Sequence, residues 1–155
     1  MLHELKRDLG EQWLPTIYLE KVRSQRTRSH GIEVPTRENN AEIMHTLLGI
    51  ELKVGRRRFA CPDLASARYM QVFARIGCGR FAMPYDITRI SGIADEMEVS
   101  WHKTLLQIRS AEPEGTKGYG RLRSLVVREM REEILTIGAG ELMPGFARST
   151  KQKSN

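Results

Sequence analysis

Glu51-Leu52-Lys53 sets a carboxylate and an ammonium two residues apart, and on a β-strand that spacing points both side chains to one face. Such a pair suits phosphodiester hydrolysis. The carboxylate holds Mg²⁺, while the lysine orients or activates the attacking water and offsets charge developing on the phosphate. The basic residues around this triplet point to the same kind of substrate. Between Lys21 and Arg58 there are nine Lys and Arg against four acids, nearly all of the chain's net charge of +6. They gather at Arg23, Arg26 and Arg28 and again at Arg56, Arg57 and Arg58. Arginine's planar fork donates in pairs to phosphate oxygens, so a nucleic-acid backbone is the natural ligand, DNA ahead of RNA. The plainer alternative is that these charges form solvated faces and that Glu51 and Lys53 are the solvent side of a half-exposed strand; should Arg56 to Arg58 face solvent or the core, the nucleic-acid surface would lie around Arg121 to Arg131.

Chemistry at Glu51 requires a strand, and the text around it reads two ways. Ile43, Leu47 and Leu48 have helical spacing, whereas Ile50, Leu52 and Val54 alternate with Glu51 and Lys53 as a strand does. Gly55 then turns the chain into a short strand, Arg58 to Cys61. Asp63 follows Pro62 as an N-cap, and Leu64, Ala67, Met70, Phe73 and Ala74 form one helical stripe up to a stop at Gly77. Phe81 to Tyr85 reads as a buried strand. Upstream, Leu2 to Arg28 is helical with a bend near Pro15, and Ser29 to Asn40 is loop with β-prone Ile32 and Val34. Downstream, Ile90 to Ile108 is helical, the glycines of 112–120 form a hinge, Leu122 to Ile137 is a long amphipathic helix, and the end from Gly138 is frayed. The expected fold is α/β or α+β: a small mixed sheet of three or four strands flanked by helices, with a helical C-terminal third. The expected division is a core over 1–110, a hinge over 111–120, and a C-terminal helix with its tail over 121–155.

Glu51-Leu52-Lys53, a turn, a strand, the helix Arg68-Tyr69-Met70-Gln71-Val72-Phe73-Ala74-Arg75-Ile76-Gly77, then Phe81 to Met83 is an order that resembles the PD-(D/E)XK nuclease superfamily, and within it the archaeal-type Holliday-junction resolvases. It covers residues 38 to 86. The resemblance implies a Mg²⁺-dependent DNA endonuclease with Glu51 and Lys53 catalytic. The aspartate such nucleases carry before the E-x-K strand would be replaced by Glu38 or Glu42, so that Glu38, Glu42 and Glu51 become the metal ligands. Glu11 or Glu20 would add a carboxylate from the first helices.

A second segment, Ile90 to Ser100 followed by Trp101 to Leu105, resembles the helix-turn-helix of bacterial DNA-binding proteins, with Ala94, Met97, Val99 and Ser100 in the characteristic places. That resemblance implies a DNA reader, with Ser100, His102 and Lys103 at the start of the recognition helix. The alternative is one uninterrupted helix with Ile90, Ile93, Met97, Trp101, Leu105 and Ile108 as its buried stripe.

Other function classes are weaker. His3, His30, His45 and His102 have no metal-ligand spacing with Cys61 or Cys78, which argues against zinc. No apolar run is long enough to span a membrane and no export signal is recognisable, so the expected location is cytoplasmic, with both cysteines as reduced thiols. At 155 residues and 40% hydrophobic the chain supports one core. The readings carried forward are a Mg²⁺-dependent endonuclease, a non-enzymatic DNA-binding protein, and an assembly subunit with an incidental basic face, with a homodimer through the C-terminal helix as a further expectation.

Overall fold

The first strand begins where a helix was expected to end. In this computed structural model, which describes residues 1–140, helical sequence runs from α1 (Leu2–Leu9) through a 3₁₀ turn (Gly10–Gln12) and α2 (Leu14–Ile17) to a π-turn (Tyr18–Val22). Pro15 lies in the first turn of α2, where its missing N–H costs no intrahelical bond. β1 (Thr27–Gly31) follows and pairs antiparallel with β5 (Arg80–Pro84). Between them lie β2 (Ala41–Thr46), β3 (Gly49–Val54), β4 (Arg57–Cys61) and α3 (Leu64–Arg75). After β5 come α4 (Ile90–Ala111) and α5 (Lys117–Ile137). The fold is mixed α/β, but its strands form two antiparallel sheets, β1-β5 and the meander β2-β3-β4, and not one mixed sheet.

The meander settles the ambiguity around Glu42 to Val54 in favour of strand. Antiparallel partners share a face, so Ala41, Leu52 and Val54 bury one side against α3 while Glu42, Lys53 and Arg58 stand in one row on the other. Leu47 and Leu48, which had suggested a helix, are the fully exposed tip of the β2–β3 hairpin. On α3, the Asp63 carboxylate accepts from the Ser66 N–H at 2.7 Å, the cap expected of it.

α3 buries Tyr69 and Phe73 against Phe81 of β5, with the Phe73 and Phe81 rings stacked at 4.2 Å. Tyr18 closes this cluster from the helical entry. Its hydroxyl donates to the Gly138 carbonyl at 2.7 Å and accepts from the Ala82 N–H at 2.9 Å, joining both ends of the described chain to β5. Tyr18→Phe leaves both backbone groups unpaired and is expected to cost about 1–3 kcal/mol in a denaturant titration. Burial pushes the Tyr18 hydroxyl up to about 12. Folding thus favours the protonated phenol: this stabilisation is complete below pH ~10, the unfolded value, and is lost as pH rises through the folded one. The variant should therefore unfold with a shallower loss of stability across that alkaline window.

α4 is one 22-residue helix. The expected turn at Glu98 does not form, because the stripe Ile90, Ile93, Met97, Trp101 and Ile108 continues unbroken through it and no glycine offers a left-handed residue there. Glu98 instead accepts from Arg68 of α3 at 3.0 and 3.1 Å. Ile90 to Leu105 therefore contains no helix-turn-helix.

The hinge is shorter than expected, since α5 opens at Lys117 with Thr116 as its cap at 3.2 Å from the Tyr119 N–H. Leu122, Val126, Val127, Met130 and Ile134 of α5 enter the same core as α1–α3. The stripe that suggested a dimer helix is thus buried inside the chain, leaving Leu125 and Leu135 outside. The expected frayed tail falls, beyond Gly140, outside the described residues.

Candidate functional site

The E-x-K pair lies where a strand puts it, side by side on the outer face of β3, both residues half-buried. The rest of the expected metal set does not assemble around it. Glu51 faces Arg58 at 3.5 Å, and Glu42 stands opposite Lys53 and accepts from the Asn40 amide at 3.3 Å. Glu38 lies off the sheet, on the loop before β2. Both its oxygens are held by Arg123 of α5, with Nε at 3.0 and 3.1 Å and Nη2 at 2.6 Å. Glu11 and Glu20 are exposed on the helical entry. Among the described residues no three His, Cys, Asp or Glu side chains converge as a cation site. β5, the strand a nuclease core would return beside the E-x-K strand, pairs with β1 instead. Glu38, Glu42 and Glu51 do not come together as one three-carboxylate Mg²⁺ site, since Glu38 is taken by Arg123 away from the sheet.

The basic clusters are dispersed over two sheets. Arg23 donates to the Thr27 hydroxyl at 2.9 Å and the Gly140 carbonyl at 2.6 Å. Arg26 stacks over Tyr85 at 4.3 Å, and Arg28 is exposed on β1. Arg56 lies exposed in the β3–β4 turn, Arg57 faces Glu33 at 3.2 Å, and Arg58 faces Glu51. Ser100 is fully buried and its hydroxyl donates to the Gln12 carbonyl, so it cannot reach a base edge. His102 and Lys103 are exposed on α4.

A different arginine cluster is built by the loop before β2. Gly77, at φ 74°, ends α3 in the left-handed conformation that glycine tolerates, and the backbone of Arg37 crosses directly over it. Asn39 fixes the crossing loop. Its N–H donates to the Arg75 carbonyl at 2.9 Å, and its amide nitrogen donates to the carbonyls of Ala74, Pro35 and Arg37 at 2.9–3.1 Å. Arg131 of α5 caps the same helix end, donating Nη1 to the Ile76 carbonyl at 2.9 Å.

Loop and α5 enclose a cleft of about 340 Å³, lined by Arg37, Arg121, Arg128 and Arg131 together with Thr36 and Ser124. Glu38 is the acid on its wall, and Arg123 already neutralises it. Arg131 is 9% exposed and forms no salt bridge with a described carboxylate. Among the described residues no buried side-chain nitrogen lacks a partner, so the nitrogens Arg131 does not give to Ile76 keep some accessible surface, and Arg131 lines the cleft. Four arginines line this recess, and arginine binds oxyanions by paired, charge-assisted hydrogen bonds.

The sequence offers Arg121 to Arg131 only as the fallback to Arg56–Arg58, because α5 reads as a packing helix, and it gives no sign of Arg37 opposite. The usable signal was Arg131 itself, a charge on the buried stripe between Val127 and Ile134, with Arg121 and Arg128 two turns apart on the adjoining face. No family model, curated protein or solved structure matches the chain, so these residues and their geometry carry the functional reading.

Proposed function

We propose that the protein binds nucleic acid without cleaving it, holding a phosphate backbone in the cleft between the Thr36–Asn40 loop and α5. The carrying observation is Arg131, a buried cation with no acidic partner among the described residues, opening beside Arg37, Arg121 and Arg128. A guanidinium with donors left over beside other arginines favours an anion, and a phosphate supplies one. The reading places the protein in the cytoplasm, where the free thiols Cys61 and Cys78 stay reduced.

Binding of a labelled duplex should depend steeply on salt, log K falling against log salt with a slope of about −0.9 for each phosphate engaged. Replacing Arg56, Arg57 and Arg58 together with Ala is expected to leave that slope in place, since two of the three already face carboxylates. A slope flattened by about 2 to 3 would move the interface to the meander. Absence of binding at about 0.1 M salt would leave the assembly-subunit reading.

The endonuclease reading keeps one observation in its favour, the shared outer face of Glu51 and Lys53. Incubated with supercoiled plasmid and Mg²⁺, the protein is expected to leave it intact. Nicking that disappears in Glu51→Ala and in chelator would reinstate the nuclease.

A further inference from the structure

Beyond the Glu38–Arg123 pair lies a second cleft, of about 380 Å³, lined by Glu38, Asn39, Asn40, Arg75, Trp101 and Arg123. Four elements meet there: the loop before β2, the end of α3, the middle of α4 and the first turns of α5. Arg75 is half-buried, with its guanidinium 5.7 Å from the centre of the Trp101 ring. It donates no side-chain hydrogen bond and forms no ion pair among the described residues. The acids nearest in charge are engaged elsewhere, Glu38 by Arg123 and Glu98 by Arg68. Desolvation lowers the affinity of Arg75 for its proton, the mark of a cation withdrawn from water without full compensation. Arg123 adds to the donors facing this space. Beyond its bonds to Glu38 and to the Tyr119 hydroxyl at 2.9 Å, one N–H on each terminal nitrogen remains.

We propose that this second cleft is a phosphate-monoester site, with Arg75 as the principal ligand and the spare donors of Arg123 as the second. A monoester presents close to two negative charges and three acceptor oxygens on one atom, which a recess bounded by four elements can enclose. A backbone diester must leave at both ends and carries half the charge. The ligand is either the phosphorylated end of a nucleic-acid strand, which rests on the function proposed above, or the phosphate of a free mononucleotide.

The test compares one oligonucleotide carrying a 5′-phosphate, a 3′-phosphate or hydroxyls at both ends, with inorganic phosphate and a nucleoside monophosphate as separate probes. For strand ends, a terminal phosphate is expected to tighten binding about tenfold, and Arg75→Gln to abolish that gain while the hydroxyl-ended strand binds as before. Asn40→Asp, at an exposed loop position, is expected to abolish it too by adding a carboxylate at the rim, which guards against a misfolded Arg75 variant. If no strand binds, the function above fails. The monoester site then stands only if inorganic phosphate or the mononucleotide raises the melting temperature of the wild type and not of Arg75→Gln. Equal binding of all three strands, with no thermal shift from either small probe, overturns the proposal.

Discussion

Replacing Arg37, Arg121 and Arg128 together with Ala is expected to weaken duplex binding on the order of a thousandfold, three charge-assisted contacts at about 1.5 kcal/mol each. The same variant should flatten the salt slope by about 2 to 3. All three side chains are exposed and none forms a salt bridge among the described residues, so the fold should survive and the melting temperature should move little. The loss should be the same on unrelated duplex sequences, because phosphates carry no sequence information. A triple variant that binds as tightly as the wild type, with its salt slope intact, would remove the cleft from consideration.

Gly77→Ala is expected to be the most damaging single substitution for stability, at about 3 kcal/mol or more. Two effects combine. The left-handed conformation penalises any side chain, and a Cβ there would lie well inside contact distance of the Arg37 backbone. The Thr36–Asn40 loop cannot yield without releasing Asn39 from the end of α3, so binding through Arg37 should weaken along with the fold. For a domain of this size the melting temperature should fall by roughly 6–12 °C. Gly92→Ala is the matched control. That glycine lies in α4 with open space around it, and alanine there is expected to stabilise by about 0.5–1 kcal/mol. If the two variants melt alike, the loop crossing does not constrain the fold as described.

Where the sequence was readable, it was readable for local reasons. Asp63 after Pro62, the apolar stripe of α3 and the stop at Gly77 each follow from interactions within a few residues, and all three are present. The strand character of Glu51 to Val54 follows from alternation alone. What escaped was set at long range. The partner of β5 is β1, and Ser29 and Arg80, bonded across that pair, are 51 residues apart, a choice that alternation does not encode. The supposed turn in α4 failed because a continuous apolar stripe outweighs a short motif. At the site, Glu38 was read as a metal ligand from its place in the chain, yet its partner is supplied by α5, 85 residues on. Arg131 carried a detectable signal, since a cation on an apolar stripe is either misplaced or purposeful. Which of the two is decided by the carbonyl of Ile76 and the cleft beyond it, neither of which is local to Arg131.

That distance also orders events during synthesis. The loop bearing Arg37 and Glu38 leaves the ribosome early, whereas α5, with Arg121, Arg123, Arg128 and Arg131, is the last of the described elements to emerge. Until it docks, Ile76 lacks the guanidinium that caps it and the recess has only one wall. With the arginine cluster divided between an earlier loop and a later helix, the phosphate cleft proposed above would assemble only after α5 has been made and docked, which separates its formation from the synthesis of the meander and α3.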